Sequence, residues 1–557
     1  MQDNRLNYNH KIINLLLFLF SCLGLTFFLL KLSAFYNDDA YIVLRYAKNI
    51  LEGNGLVWNI GEKIEGYSCF LWLMFISFLG YFHIDLVLAS KLLGVFFAFL
   101  TLALFFILER QKRAIGGLLL STNSCFALWA VGGLETVAFG FFVFLACYLF
   151  LIKNNSRSAF FIIGIVFSLA AMTRPEGILF FLITILFCIF ENKKPARINL
   201  KNGLFCILGF FILYCPYFIW RLYYYGHLFP CTFYVKGGTN IIKIAFGLRY
   251  VFCFLLTYGF PLLILLFIKE RKKFLLSRAY LACILLGYSC YILLVGGDHM
   301  QGFRFYTPLL PLFYLFIQEA FFEAQFINRT ILCNLIAFIL IISNFFVSCY
   351  TIPQDPGANR EAMSHSYKYK YCCKVPDPAA YLGKCVGAYI KEHWPHNAIV
   401  AGNIAGSLPY FSDISTFIDM LGLNDYTIAQ RKVSYDYSFF IRQAFDINRL
   451  VTAQGRSEII HNITSKYLSW QLIPGHGKGD GKYVLSRKPD YIIIGPAEGD
   501  IKPWFLGDKE IISSPVFYDN YQLKQVSIKT EDKFHSYYPP TETGILTFRY
   551  YERKKYK

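Results

Sequence analysis

Long apolar runs separated by short charged clusters dominate the first 350 positions of the chain. Most runs are roughly 15 to 23 residues long, close to the length at which a helix crosses the hydrocarbon core of a bilayer. A shorter apolar segment, Ser68–Phe82, predicts a helix that lies at the membrane surface or dips into it. The runs that predict about eleven spans are Leu15–Leu30, Leu86–Leu108, Ile115–Val131, Thr136–Ile152, Ala159–Met172, Ile178–Phe190, Leu204–Arg221, Ala245–Ile268, Ala279–Val295, Tyr306–Ile317 and Ile331–Cys349.

Basic clusters alternate with loops that are much poorer in Lys and Arg. Since positive residues concentrate on the cytoplasmic side, these clusters predict a cytoplasmic N-terminus and an extracytoplasmic C-terminus, provided that Ser68–Phe82 does not cross. The clusters are Arg110/Lys112/Arg113, Lys153/Arg157, Lys193/Lys194/Arg197/Lys201 and Lys269/Arg271/Lys272/Lys273/Arg278.

The pattern changes after Tyr350, where Pro, Gly, Asp, Lys and His become frequent and no spanning run follows. We therefore expect a transmembrane domain over residues 1–350 and an extracytoplasmic mixed α/β domain over residues 351–557. The predicted elements of the second domain are strands at Ala398–Ala401 and Tyr491–Ile494 and helices at Ala379–His393 and Tyr437–Leu450.

Composition supports the same class of protein. Of the 557 residues, 56% are hydrophobic and only 16% are charged, whereas soluble domains have about 25% charged residues. This excludes a disordered chain, a soluble enzyme and a secreted disulfide scaffold. The formal charge of +18 is explained by the basic loops, so no nucleic-acid partner is expected. One pair among Cys372, Cys373 and Cys385 could form a disulfide, but their spacing does not match a zinc site.

The predicted first outer loop, residues 31–85, contains the sharpest polar cluster. Asn37 is expected to cap a helix, which places Asp38 and Asp39 in its first turn, where the helix dipole favours their ionised form. A carboxylate held there could accept a proton from an attacking hydroxyl or bind a metal; alternatively, the two acids only mark a helix start. The helix should lie along the membrane surface, with Val43, Tyr46, Ala47 and Ile50 on its apolar face and Arg45, Lys48, Asn49 and Glu52 on its polar face.

Further polar residues fall in the other predicted outer turns. The basic side chains Arg174, Lys236, His299 and Arg304 are candidates for binding a phosphate, and the alternative is contact with lipid headgroups. Glu135 and Glu176 are either site residues or structural partners of Arg174. Asp298 and His299 follow two glycines, which also suits a tight turn, and His476 has the pattern of a surface loop residue.

In chain order, several short motifs resemble GT-C glycosyltransferases, and within them the terminal β-arabinofuranosyltransferases of mycobacteria. The likeness runs from the first outer loop to about Gly495, with one departure at Ser68-Cys69. Its motifs are Asp38-Asp39-Ala40-Tyr41, Arg45-Tyr46-Ala47, Gly53-Asn54-Gly55-Leu56-Val57-Trp58-Asn59, Glu65-Gly66-Tyr67, Gly132-Gly133-Leu134-Glu135, Arg174-Pro175-Glu176-Gly177, Gly297-Asp298-His299-Met300, Arg304-Phe305, Asp419-Met420-Leu421-Gly422-Leu423-Asn424-Asp425, residues 474–480 and Tyr483-Val484-Leu485-Ser486-Arg487-Lys488-Pro489-Asp490-Tyr491.

The resemblance implies a multi-helix protein of a bacterial inner membrane that moves a sugar from a polyprenyl-phosphate donor to a cell-envelope glycan. It implies an arabinofuranose-like sugar, with Asp38 and Asp39 as the catalytic carboxylates. The expected donor or phosphate site comprises Arg304, Arg174, Lys236, His299 and Asp298. Substrate-binding or structural residues are Glu65, Tyr67, Glu135, Glu176 and His476. The sequence does not require a divalent cation and does not exclude one. A transporter or flippase of a lipid-linked sugar is the alternative, and a glycan-binding envelope scaffold is a third.

Overall fold

A computed structural model describes residues 2–108, 115–152, 156–190, 196–238, 240–324, 330–351, 377–434, 468, 473, 475–530 and 544–554. The chain forms two compact units. The first comprises Met1–Phe35, Ser68–Tyr224 and Gly247–Val375, and the second comprises Tyr36–Tyr67, Tyr225–Phe246 and Pro376–Lys557.

Helices account for nearly all regular structure before residue 351. They are α1 Gln2–Lys31, α2 Asp38–Leu51, α3 Phe70–Tyr81, α4 Leu86–Leu108, α5 Ile115–Ser121, α6 Ser124–Val131, α7 Thr136–Ile152, α8 Arg157–Thr173, α9 Gly177–Phe190, α10 Ala196–Tyr225, α11 Cys231–Lys236, α12 Ile241–Tyr258, α13 Arg271–Ser277, α14 Ala279–Val295, α15 Leu310–Glu323 and α16 Thr330–Thr351, with 3-10 segments at Phe260–Phe267 and Thr307–Leu309.

Five helical segments are long and apolar enough to cross a membrane: Ile12–Lys31, Leu86–Ile107, Lys201–Tyr225, Ile241–Tyr258 and Ile331–Tyr350. Two bent pairs, α6 with α7 at 119° and α13 with α14 at 80°, raise the number to as many as seven within the described chain if each pair is one span. The helices α3, α8 and α9 are apolar but shorter. The expectation of eleven spans therefore stays a prediction.

Three predicted runs are not single helices, and each break has a local cause. The run Ile115–Val131 is divided because the side chain of Asn123 caps α6, accepting a hydrogen bond from the Phe126 amide at 3.1 Å. Ala245–Ile268 ends its α-helix at Tyr258 and continues as a 3-10 segment that has a proline in its first turn. Tyr306–Ile317 likewise begins with a 3-10 turn containing Pro308, since proline lacks the amide that a helix interior needs.

The second unit contains a five-stranded mixed sheet with the order β2-β1-β3-β5-β4. Its strands are β1 Ile399–Gly402, β2 Thr416–Asp419, β3 Tyr491–Ile492, β4 Tyr521–Lys529 and β5 Ile545–Arg553. The β1–β2 and β1–β3 pairs are parallel, and the pairs that β5 forms with β3 and β4 are antiparallel. Its helices are α17 Pro378–His393, α18 Ser407–Ser412, α19 Tyr426–Gln430, α20 Gly481–Ser486, α21 Leu506–Ile512 and α22 Pro515–Asn520.

Three predicted elements of this unit are confirmed to within two residues: the strands that become β1 and β3, and the helix that becomes α17. They form because their apolar side chains are buried on the sheet, where Ala401, Ile418 and Ile492 are inaccessible or nearly so. The predicted helix Tyr437–Leu450 lies outside the described residues, as do Cys372, Cys373, Pro474 and six of the basic loop residues, Arg110, Lys112, Arg113, Lys153, Lys193 and Lys194.

Candidate functional site

The start of α2 is fixed by a network of polar bonds inside the second unit. Asn37 caps the helix as predicted, its side chain accepting from the Asp39 amide at 3.1 Å. The Asp38 carboxylate accepts from the amide and the hydroxyl of Ser407 at 2.9 and 2.5 Å. Asp377 accepts from the Asn37 side chain at 3.1 Å and from the Asp38 amide at 3.2 Å. The two carboxylates thus tie α2 to the N-termini of α17 and α18.

The two adjacent acids of α2 have different surroundings. Burial raises the pKa of Asp38 to about 7, against the hydrogen bonds from Ser407 and with help from the charges of Asp377 and Asp39. Burial likewise raises the pKa of Asp377 to about 6, opposed by the backbone amides that it accepts from. The Asp39 carboxylate is partly exposed and makes no hydrogen bond or ion pair with any residue that the structure describes. As far as the described residues go, it is the carboxylate of the pair that is open for a ligand.

Two residues of the predicted polar face of α2, Arg45 and Asn49, are buried, whereas Lys48 and Glu52 stay partly exposed. Arg45 is only 6% exposed and Asn49 equally so, because loop carbonyls cover them. Arg45 donates to the carbonyls of Trp58 and Ile414, each at 2.7 Å, and to that of Pro409. Burial lowers its pKa to about 10, opposed mainly by the charge of Asp413. This arginine therefore holds the helix in place through neutral acceptors.

The first-loop motifs also bind the edge of the sheet. Both ends of the Asn59 amide pair with the backbone of Phe417 in β2, at 3.0 and 2.9 Å, so Asn59 completes the outer edge of that strand. Glu62 accepts from Arg487 at 3.1 Å. Segments more than 350 positions apart in the chain are therefore in direct contact.

A close approach brings Glu65-Gly66-Tyr67 against the loop after β2. A Cβ added to Gly66 would lie 1.8 Å from Asn424 Oδ1, so the contact requires glycine. The side chain of Glu65 is 1% exposed, and the Tyr67 hydroxyl lies 3.1 Å from that of Tyr225. Asp419, the last residue of β2, is fully buried, and burial raises its pKa to about 6 against the hydrogen bonds from Asn424 and Leu421. Glu65 and Tyr67 are thus packed within this unit.

Lys236 lies against Gly475, which precedes His476 in the chain. The aliphatic chain of Lys236 runs over Gly475, whose added Cβ would be 3.4 Å from Lys236 Cε. His476 is half-buried and stacks on Phe505 with ring centroids 6.1 Å apart, so it is not the open surface residue that its loop pattern suggested. Lys243 donates to the carbonyls of residues 236–238 at 2.7 to 2.8 Å, which stabilises the end of α11.

A second polar cluster belongs to the first unit and centres on Arg174. Its guanidinium binds Glu135 at 2.7 Å and Glu176 at 2.7 and 3.3 Å. Tyr291 donates to Glu176 at 3.1 Å. The structure therefore pairs both glutamates with Arg174, whose charge is already compensated by two carboxylates.

Arg304, in the same unit, is less completely bonded. Its Nε donates to Asp298 at 2.5 Å, and the two side chains are 5% and 8% exposed. His299 Nδ1 lies 3.5 Å from Asp298. The two terminal nitrogens of Arg304 donate to no residue that the structure describes, and Phe305 packs against the guanidinium groups of both Arg304 and Arg174. A buried arginine with an open fork fits the geometry of a phosphate.

The turn before Asp298 is as tight as its glycines predicted. Gly296 ends α14 in the left-handed region at φ 94°, and Gly297 follows at φ 70°. A Cβ on Gly297 would lie 2.6 Å from the Cβ of Tyr250. Asp298 therefore belongs to a tight turn and also forms a salt bridge with Arg304.

The predicted site residues fall into two groups. The second unit contains Asp38, Asp39, Glu65, Tyr67, Lys236 and His476, and the first contains Glu135, Arg174, Glu176, Asp298, His299 and Arg304. In the described chain no three His, Cys, Asp or Glu side chains are arranged to hold a metal ion. Sequence reasoning missed Asp377, Ser407 and Lys243. Of these only Asp377 had a signal, because Asp followed by Pro is a common helix start.

Residues 379–538 match a family described as a domain of unknown function, DUF8728, which is less than half of the chain. No curated protein matches. ArnT from Cupriavidus metallidurans in the apo state has 13% identity and a TM-score of 0.49, over 77% of this chain and 90% of that one. The same protein bound to undecaprenyl phosphate has 13% identity and a TM-score of 0.45, over 72% and 85%. Similarity of this size assigns no activity. The apolar helices make the chain a multi-pass membrane protein.

Proposed function

We propose that this protein is an integral-membrane glycosyltransferase. In this hypothesis it moves a sugar from a polyprenyl-phosphate donor to a cell-envelope glycan acceptor on the extracytoplasmic side of a bacterial inner membrane. The support is the ordered set of motifs that resembles GT-C glycosyltransferases, several of which contact one another within the second unit. Gly66 packs on Asn424, and the Tyr46 hydroxyl donates to the Asn424 side chain at 3.4 Å. Contact between such distant segments is expected if the motifs serve one site.

The observation that carries the proposal is the open carboxylate of Asp39. It stands in the first turn of α2, whose position is fixed by the bonds of Asn37, Asp38 and Asp377. A general base needs a fixed backbone and an unoccupied oxygen within reach of the attacking hydroxyl. Among the residues that the structure describes, Asp39 has both, whereas one oxygen of Asp38 is bonded to Ser407. We assign proton acceptance to Asp39 and the positioning of the helix start to Asp38.

Arg304 is the favoured contact for the donor phosphate. Its terminal nitrogens are open in the described chain, while the charge of Arg174 is compensated by Glu135 and Glu176. In the reaction, the acceptor hydroxyl oxygen attacks the anomeric carbon and the bond from that carbon to the phosphate oxygen breaks. Polyprenyl phosphate leaves with the electron pair, and the hydroxyl proton goes to Asp39. Arabinofuranose is the sugar that the resemblance favours.

Sugar transfer by the purified protein in nanodiscs is the test. Polyprenyl-phosphate sugars and nucleotide sugars are offered separately, and the products are identified by mass spectrometry. We expect turnover with a lipid-linked donor only. Asp39→Asn should lower kcat by about 100-fold or more, as loss of a general base does. Glu52→Gln, which changes an exposed carboxylate at the other end of α2, is the matched control and should keep full activity.

Two results would change the hypothesis. Full activity in both Asp39→Asn and Asp38→Asn, with normal yield, would show that neither carboxylate is catalytic. Binding of a lipid-linked sugar without transfer or hydrolysis of any donor would favour the transporter or flippase instead.

A further inference from the structure

An open groove of about 810 Å³ lies in the first unit, where the 3-10 segment Phe260–Phe267 leads into α13. It contains none of the residues assigned to sugar transfer. Four basic side chains, one carboxylate and three aliphatic side chains line it: Lys269, Arg271, Lys272, Lys273, Glu270, Leu266, Ile268 and Leu276.

The groove has a strong positive excess, with four cations against one carboxylate. Lys269 and Lys272 are exposed and make no hydrogen bond or ion pair with the described residues. Lys273 has only a solvent-exposed contact with Glu270 at 3.1 Å. The next basic residue, Arg278, is different, because Glu319 binds it at 2.5 and 3.0 Å. Lys269 and Lys272 therefore have no structural partner within the described chain, whereas the nearby Arg278 has one.

Apolar side chains share the same groove. Leu266 is 59% exposed and Leu276 is 68% exposed, although both line it. The helix α13 meets α14 at 80°, and the two together are apolar enough to form one membrane span. An amphipathic turn that joins a span and combines lysines with leucines has the composition of a membrane interface.

We propose that the groove binds an anionic phospholipid. Its phosphate lies among Lys269, Lys272 and Lys273, and its acyl chains lie against Leu266 and Leu276. A zwitterionic lipid would bring its own ammonium group into a positive groove, which costs electrostatic energy. Inorganic phosphate would leave the two leucines in water. A lipid with a net negative headgroup satisfies both halves of the groove.

The experiment uses the full chain, delipidated in detergent, and counts bound lipids by native mass spectrometry. Phosphatidylglycerol, phosphatidylcholine and inorganic phosphate are compared as separate probes. We expect phosphatidylglycerol to bind and the other two not to. The triple variant Lys269→Gln/Lys272→Gln/Lys273→Gln should weaken phosphatidylglycerol binding by roughly 100-fold, at about 1 kcal/mol for each charge near the surface.

Two further variants make the result specific. Lys482→Gln/Lys502→Gln/Lys509→Gln removes the same charge from exposed positions of the second unit and should leave lipid binding unchanged. Leu266→Ser/Leu276→Ser should weaken phosphatidylglycerol binding, since the acyl chains lose their contact. Equal binding of both lipids, equal loss in the two triple variants, or binding of inorganic phosphate as strong as that of the lipid would overturn the proposal. The readout is lipid binding, so it is independent of sugar transfer.

Discussion

Asp38 and Asp39 show how two neighbouring residues of one type come to have different roles. Successive side chains of a helix point about 100° apart, so only one of two adjacent acids can face the same partner. Asp38 faces Ser407 and accepts two hydrogen bonds from it, while Asp39 does not. The sequence predicted the helix cap and the acidic turn, which depend on local signals. It did not distinguish the two acids, because Ser407 and Asp377 come more than 330 positions later.

The raised pKa of Asp38 predicts that the second unit loses stability as the pH rises. Its ordinary pKa is 3.8, and in the fold it is about 7. Between these values the folded state binds more protons than the unfolded state, so the free energy of unfolding falls with increasing pH and becomes constant above about 7. Asp38→Asn keeps an acceptor for Ser407 but removes the titration. From pH 5 to pH 8 the wild type should lose about 1–2 kcal/mol more than this variant, since Asp38 is partly exposed.

Hydrogen exchange of the peptide that covers α18 measures this difference locally. Asp377, Asp419 and Asp508 also have pKa values raised to about 6, so only the difference between wild type and variant reports on Asp38. Ser407→Ala gives the opposite control. The Ser407 hydroxyl lowers the pKa of Asp38, so its loss should extend the pH dependence to higher pH. Identical pH profiles for the wild type and Asp38→Asn would contradict the prediction.

At the scale of elements, features that depend on signals within a segment were predicted correctly. Features that depend on partners elsewhere in the chain were not. The helix α2 begins after Asn37 and ends before Gly53, whose φ is 80°. Both ends of α2 were predicted from the sequence. Burial of Arg45 was not, because the carbonyls that cover it belong to residues 58, 409 and 414. In the same way β1 and β3 were predicted as apolar runs, while β4 was missed because its side chains are mostly exposed.

Replacing Arg45 tests how α2 is held. Three backbone carbonyls accept from different nitrogens of its guanidinium. A lysine ammonium is a single centre and cannot reach all three, so Arg45→Lys leaves buried acceptors unsatisfied. We expect a loss of about 2 kcal/mol or more, measured as a lower melting temperature in detergent and as faster proteolysis of residues 36–67.

Arg549→Lys is the comparison variant for Arg45→Lys. Within the described chain the Arg549 side chain makes one hydrogen bond, an exposed one to Gln525 at 3.1 Å, so the change should stay within about 0.5 kcal/mol. If the two lysine variants have equal stability, the carbonyl contacts of Arg45 contribute little and α2 is held by its apolar face.

For the whole molecule, apolar runs predicted the class of protein but not how each run folds. Five helices have the length of a span, and two bent pairs extend this to seven within the described chain. The predicted runs contain Asn123, Pro261 and Pro308, each of which begins a new helical segment. A hydropathy window averages over such residues, so it predicts one apolar run where the backbone forms two helical segments. The number of crossings therefore depends on where the helices break, and mean hydropathy does not show those breaks.

The orientation of the chain is the remaining prediction, and α3 decides it. Its 12 residues span about 18 Å at 1.5 Å per residue, well short of a hydrocarbon core of about 30 Å. If α3 does not cross and the eleven runs do, the C-terminus is extracytoplasmic. Alkaline phosphatase fused after Lys557 should then be active, and the same enzyme fused after Ser156, in a predicted basic loop, should be inactive. A green fluorescent protein fusion at each position should give the opposite result. Activity after both residues would mean that the basic loops do not face the cytoplasm. Inactive alkaline phosphatase after both residues would mean that the number of crossings after Ser156 differs by an odd number from the seven predicted. Active enzyme after Ser156 together with inactive enzyme after Lys557 would mean that α3 crosses, since α3 precedes both fusion points.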